Sequence, residues 1–319
     1  MGRNCKVISV YFGTRRRYPY NSKDAIDVVM NVIEHERTMD PGVDNLDVVL
    51  INHDCGDEEG NNYLDSIDGI EVYCGKVRVI HRAHDSGTGV SMTSFDYGFK
   101  QLRYEYDYWF FQEDDYKVME IGYFGRGIKL LDSDDEVAYI AYDTVEGSLK
   151  DIKNGLQVFM HMVFGVTMMT LFGYIKFIPT FCRALFKIRR MTNKGVPFAE
   201  GGMGLSSTRY IGEVIDRFGR MPSCLELAPE LDETIIKKYN NGDRYGDRFS
   251  WKRFYQVNRY FTWYWLQSVT SEFSFTAVFY DIGYRVELYR NNGGFIYSFK
   301  IDDMKTESSD NDTIGKFSL

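Results

Sequence analysis

Three consecutive acids, Glu113-Asp114-Asp115, follow directly on the apolar run Tyr108 to Gln112 (YWFFQ). At the end of a buried strand their charges repel one another and cost stability unless a cation sits among them. Oxygen ligands at that density suit a hard divalent ion, Mg²⁺ or Mn²⁺, which keeps open positions for phosphate oxygens. Such an ion screens a diphosphate and stabilises it as a leaving group. A solvated turn is the competing use of an acidic run. Further polar groups gather where other apolar runs end. His53, His81 and His84, with Arg82 and Arg15, can meet phosphate or serve as surface polar residues. Downstream, Glu200-Gly201-Gly202-Met203-Gly204 reads as a tight turn with positive φ. Pro229-Glu230-Leu231-Asp232-Glu233-Thr234 reads as a helix start with acids favourably placed.

The elements that must hold these groups alternate. Lys6 to Phe12 (KVISVYF) is a short β-branched run and the expected first strand. Asn21 or Ser22 then caps a helix striped by Ile26, Val29 and Ile33, which ends near Asp40-Pro41-Gly42. Leu46 to Asn52 and Lys76 to His81 are the next strands, Ser91 to Leu102 a helix, and Tyr108 to Gln112 a strand that delivers the acids. Glu136 to Tyr142 is a further strand. This alternation predicts an α/β domain with a mostly parallel sheet flanked by helices, which places ligands outside the carboxyl ends of its strands. Each polar cluster lies at such an end. Farther on, Thr270 to Tyr280, Tyr284 to Tyr289 and Phe295 to Ile301 read as strands, with a hairpin turn at Asn291-Asn292-Gly293-Gly294.

Composition narrows the function classes. The net charge is −8, which argues against a nucleic-acid partner, since phosphate backbones need clustered Lys and Arg. Five cysteines, an odd number with no C-x-x-C pair, predict neither a disulfide framework nor a zinc site. The N-terminus carries no signal-peptide h-region, so a cytoplasmic location is expected. Leu156 to Ile175 is free of charge and long enough to span a bilayer. Its Gln157, His161, two threonines and two glycines favour a buried strand and helix. Lys176 to Arg190 is basic and aromatic; it reads as an amphipathic helix on the core, with a peripheral membrane contact as the alternative.

Taken in order, these motifs resemble the GT-A-fold glycosyltransferases over roughly the first 120 residues. The strand followed by E-D-D is similar to their D-x-D motif, with Glu113 at the first acidic position and Asp115 at the last. KVISVYFG stands where the family has its opening strand, and VVLINHDCGD resembles its "V-V-D-D-G-S-x-D" segment. VRVIHRAHDSGTGVSMTSFDYGF resembles "R-V-I-x-x-x-x-N-x-G-x-x-x-A-x-N-x-G", with Asp96 and Gly98 where Asn and Gly are usual. The departures are Asp96 itself and Asn52-His53 in place of the usual acidic pair. The resemblance implies a Rossmann-like GT-A domain over residues 1–250, with a nucleotide-binding half at 1–120 and an acceptor half at 155–250. A C-terminal α+β extension (helix and β-hairpin) is expected at 251–301 and a mobile tail at 302–319.

The same resemblance implies roles. Glu113 and Asp115 would hold Mn²⁺ or Mg²⁺, with His161 as a third ligand or, in the plainer reading, a core histidine. Tyr11 and Phe12 at the end of the first strand would meet the nucleotide, as would Asp54, Arg15, Arg82 and Asp114. Asp232 would be the catalytic base, followed by Glu230, Glu233 and Glu200, beside a G-G-x-G loop that shapes the acceptor cleft. The expected partners are a nucleoside-diphosphate sugar and a glycan or other hydroxyl acceptor, with inversion favoured. A non-catalytic sugar-binding protein of similar fold is the alternative from another class. A nucleotidyltransferase is a further one, although Gly13-Thr14-Arg15-Arg16-Arg17 lacks that group's G-G-x-G-x-R loop.

Overall fold

The computed structural model describes residues 3–12, 22–83, 90–114, 116–142, 199, 202–221, 275–276, 278–280 and 282–289. Strands β1 (Asn4–Val10), β2 (Asp47–Asp54), β3 (Val77–Ala83), β4 (Tyr108–Glu113), β5 (Val137–Ala141), β6 (Gly204–Ser207) and β7 (Arg285–Leu288) form one sheet in the order β3-β2-β1-β4-β6-β5-β7. β1 pairs in parallel with β2 and β4, β2 with β3, and β5 with β7. β6 runs against both of its neighbours. The α/β class and mostly parallel sheet expected from the alternation are therefore present. β7, from the stretch read as an extension, is an edge strand of this same sheet.

Helices cover both faces. Cys5 and Val7 of β1 join Val49, Ile51, Trp109 and Phe111 in one cluster with Phe95, Phe99 and Leu102, which belong to α3 (Val90–Leu102). Ile8 and Val10 point the other way, into Val28, Val29, Val32 and Ile33 of α1 (Ser22–Thr38) and Leu64 and Ile67 of α2 (Glu58–Ile67). α4 (Tyr123–Asp132) shares that second face, where Tyr123 meets Phe110 edge-on. α5 (Thr208–Phe218) lies with α3: Arg103 forks onto Asp216 at 2.9 and 3.1 Å.

Four elements depart from the sequence reading. α2, α4 and β6 were not anticipated. α2 announces itself only by its cap, where the Asp57 carboxylate accepts from the Gly60 amide at 2.8 Å, because its length is mostly polar. Phe275, Thr276 and Val278 to Tyr280 are helical rather than part of a strand from Thr270 to Tyr280. Phe275, Val278 and Phe279 are buried at the i, i+3, i+4 spacing of a helix stripe, so the β-branched and aromatic composition there reports burial and not strand. The segments 155–198, 222–250, 290–301 and 302–319, with the membrane candidates and the Asn291 hairpin, lie outside the described residues. Among the described residues no helix is long and apolar enough to cross a membrane.

At the centre of the sheet sits a charge. Lys6 of β1 has no exposed surface and its Nζ is 2.6 Å from Oε1 of Glu36 on α1, itself 4% exposed. The ammonium also lies over the Phe110 and Tyr123 rings, 5.3 and 5.0 Å from their centroids. Burial pulls the Lys6 pKa below its ordinary value, and Glu36 partly offsets that. Removing one partner strands the other charge in the core. Lys6→Met is expected to lose about 3–5 kcal/mol in urea unfolding, whereas Lys6→Met with Glu36→Leu matches or exceeds the wild type. Equal losses in both would show that the pair is not coupled. Buried Tyr123, Tyr139 and Tyr142 have pKa values pushed well above the ordinary 10.0, chiefly by desolvation. Their folded-state values are raised, so the stability they contribute is complete below that pH and is lost as pH rises beyond it. Tyrosinate absorbance from these residues is expected to appear together with loss of helical circular dichroism, in one alkaline transition.

Candidate functional site at the carboxyl edge of the sheet

The strand order reverses at β1. The chain leaves β1 for β2 through α1 on one face and returns from β3 to β4 through α3 on the other. A crevice therefore opens at the carboxyl ends of β1 and β4, the place where open α/β sheets take their ligands. The pairing register shows what lines this edge. Ser9 stands beside Glu113, Val10 beside Asn52, His53 beside Arg82 and Asp54 beside Ala83. Glu113 and Asp114 are thus brought to the crevice, both half-buried.

Glu113 is anchored. Its Oε1 accepts from the Ser91 hydroxyl in the first turn of α3 at 2.7 Å. The turn that carries Asp114 is clasped from below, because the Gln112 side-chain amide, with no exposed surface, donates to the Tyr116 carbonyl at 2.8 Å. Asp115 and His161 lie outside the described residues. Among the described residues no three His, Cys, Asp or Glu side chains converge as a metal cluster. The donor set at the end of β4 is nonetheless all carboxylate oxygen, which is the chemistry that suits Mg²⁺ or Mn²⁺.

The glycine-rich loop approaches the end of β4 from the β6 side. Phe111 of β4 faces Gly204 of β6 in an antiparallel pair, so Met203 and Gly202 run past the carboxyl end of β4. Gly202 has φ +67°, the tight turn expected of this motif, and its carbonyl accepts from the Tyr139 hydroxyl at 2.5 Å. A Cβ on Gly202 would lie 2.9 Å from the methyl of Met92, in the same turn of α3 as Ser91. A Cβ on Gly204 would lie 2.4 Å from the Ile140 carbonyl oxygen. The sequence reading places this loop ahead of a short helix; it leads first into β6, a four-residue strand too short to announce itself, and then into α5. Glu200, Glu230, Asp232 and Glu233 lie outside the described residues.

On the β1–β2–β3 side, Tyr11 is half-buried with its ring centroid 5.5 Å from that of His53, which is wholly buried. Phe12 is 2% exposed and packs on α2, where a Cβ on Gly60 would lie 2.5 Å from its ring. Arg82 is 9% exposed, its guanidinium 5.7 Å from the Tyr97 ring centroid. Oδ1 of Asp54, at the end of β2, accepts from the Gly56 amide at 2.8 Å and from Asn61 Nδ2 at 2.9 Å. His81 projects to the face opposite His53, so the two histidines do not form one cluster. Arg15 and His84 are outside the described residues. Asp96 has a structural use: Oδ1 accepts from the Met221 amide at 2.7 Å and Oδ2 pairs with Lys100 at 2.7 Å. Gly98 lets α3 approach the sheet, since a Cβ there would lie 3.0 Å from Ile51.

Sequence reasoning missed Ser91, Gln112 and Asn61. Ser91 and Gln112 flank the acidic run in chain or in space. Their signal is a polar residue at an otherwise apolar position: Gln112 is the last letter of YWFFQ and is fully buried. No protein-family model matches the chain, and no curated protein matches it. Gln112→Leu keeps the volume but leaves the Tyr116 carbonyl without its donor. It is expected to lower unfolding free energy by about 1–2 kcal/mol and to speed amide exchange across residues 113–118. Unchanged exchange there would mean that the clasp does not hold the acidic turn.

Proposed function

We propose that the chain is a metal-dependent glycosyltransferase with a GT-A-type domain, moving a sugar from a nucleoside-diphosphate sugar to a hydroxyl acceptor. The observation that carries this reading is the position of Glu113 and Asp114 at the β1/β4 switch point, with the Gly202–Gly204 loop and the first turn of α3 closing around them. Two half-buried carboxylates at a strand end, one of them anchored by Ser91, suit a diphosphate-bound cation better than they suit a solvated turn. The order β3-β2-β1-β4 is also that of the dinucleotide-binding half of doubly wound folds, which offer their phosphates the same crevice.

In this reading Glu113 and Asp115, helped by Asp114, would hold Mn²⁺ or Mg²⁺, which when bound would supply positive charge to the diphosphate leaving group. Asp54, Tyr11 and the end of β1 face the nucleoside, and Arg82 and Arg15 supply positive charge to the donor. An acceptor hydroxyl gives its proton to Asp232, its oxygen bonds to the anomeric carbon, and the bond from that carbon to the diphosphate oxygen breaks. The nucleoside diphosphate leaves with the electron pair. A single displacement of this kind inverts the anomeric centre.

A ligand bound only by the folded chain raises its melting temperature. One nucleoside diphosphate from a panel of UDP, GDP, ADP, CDP and dTDP is expected to raise it when Mn²⁺ is present and not when it is absent. Asp115→Ala should abolish that shift, and metal-dependent hydrolysis of the matching sugar nucleotide, while leaving the circular dichroism unchanged. Unchanged turnover in that variant would sink the site assignment. A wild-type chain that responds to none of the five would leave the acidic turn without a diphosphate role.

A further inference from the structure

Asp54 stands at the end of a chain of side-chain hydrogen bonds that crosses from β2 to α2 and β3. Asn61 Nδ2 donates to Asp54 Oδ1 at 2.9 Å, and Asn52 Nδ2 donates to Asn61 Oδ1 at 2.7 Å. Asn52 Nδ2 also lies 2.9 Å from His81 Nδ1, and His81 Nε2 lies 3.0 Å from Oδ1 of Asp65. The carboxylate fixes the direction of every link. An ionised Asp54 only accepts, so Asn61 must turn its Nδ2 toward it and present Oδ1 to Asn52. Asn52 then spends one N–H on Asn61 and the other on His81, whose Nδ1 must be the bare nitrogen and whose Nε2–H reaches Asp65.

Two further features set this chain of hydrogen bonds apart. Asn52 is 1% exposed, and its Oδ1 has no hydrogen-bond partner among the described residues. A buried amide carbonyl without a donor costs stability, which an apolar residue here would avoid. The two N–H groups of Asn52 are therefore what the position retains. Asn61 is also held firmly: α2 is capped by Asp57 and its Gly60 abuts the Phe12 ring, leaving no room for a Cβ. The end of β1, which the transferase reading sets against the nucleoside, and the donor to Asp54 are thus docked on the same turn of helix.

We infer that Asn61, Asn52 and His81 are positioning residues that hold the Asp54 carboxylate in one orientation for the nucleoside of the donor. The inference rests on the transferase reading. Asn61→Asp is the sharpest probe. It is isosteric and still accepts from Asn52, but it replaces the N–H that faces Asp54 with a second carboxylate oxygen. In titrations of the full-length chain with Mn²⁺, this variant is expected to bind the preferred nucleoside diphosphate about tenfold more weakly. Inorganic pyrophosphate with Mn²⁺, which has no nucleoside, is expected to bind within about twofold of the wild type. Adding Asp54→Asn to Asn61→Asp restores a donor–acceptor pair at that contact. It should recover the melting temperature without recovering nucleoside diphosphate affinity. Equal weakening for both ligands, or none for either, overturns the positioning role while the wild-type titration still stands for the transferase. Failure of the wild-type chain to bind any nucleoside diphosphate overturns the transferase reading and the nucleoside role of Asp54 together.

Discussion

An ammonium group with no exposed surface lies in the middle of the sheet, and the arrangement around it admits few alternatives. Lys6 sits on β1, the strand at which the order reverses, and reaches Glu36 of α1 while Phe110 of β4 and Tyr123 of α4 cover it. An unpaired charge at that depth costs about 3–5 kcal/mol, so the fold that seats it favours β1, α1 and α4 arriving together in one register. The same region is tied by close backbone approach. The Gly122 amide donates to the Asp40 carbonyl at 2.8 Å, and a Cβ on Gly125 would lie 2.2 Å from the Gly42 carbonyl oxygen. His35 adds a link from its Nε2 to the Val118 carbonyl at 2.8 Å, and burial lowers its pKa. Because Val118 lies only a few residues beyond Glu113-Asp114-Asp115, the network that seats the lysine also anchors the chain leaving the acidic turn.

The sheet changes character along its strands. Apart from Lys6, the mid-strand positions of β1, β2 and β4 are aliphatic and aromatic; at the carboxyl edge these strands and β3 carry Ser9, Asn52, His53, Arg82 and Gln112, each less than a tenth exposed. The Ser9 and Ser94 hydroxyls have no hydrogen-bond partner among the described residues. Polar groups buried without full satisfaction work against folding, and they gather at the one end of the sheet where the topology opens a crevice. The α3 stripe follows the same gradient, with Ser91 and Ser94 at its first turns and Phe95, Phe99 and Leu102 behind them.

The strand ends that frame the candidate site were legible because they sit in short, ordered segments. An acidic run after a buried strand announces an edge in an α/β protein whatever else the chain does, and Asp54 and Arg82 announce themselves similarly at the ends of β2 and β3. The supporting residues were not legible. Gln112 reads as the tail of an apolar run, Ser91 as an ordinary helix-start serine, and Asn61 as one of two asparagines in a polar stretch whose helix was itself unexpected. Ser91 and Asn61 act on residues of other elements and Gln112 on the turn it opens, and no spacing rule connects Asn61 with Asn52 and His81.

The sequence by itself determined the alternation of elements, the mostly parallel sheet and the location of polar clusters at strand ends, because strand and helix periodicities are local and a buried parallel strand must be apolar along its length. Tertiary structure decided the rest. It reversed β6 between β4 and β5, which carries the Gly202–Gly204 loop past the carboxyl end of β4, far along the chain from the acids. It put β7 at the sheet edge and turned an aromatic run into helix. It also separated His53 from His81, neighbours by position along their strands but on opposite faces, since successive side chains of a strand point to opposite sides and only the pairing register says which side is shared.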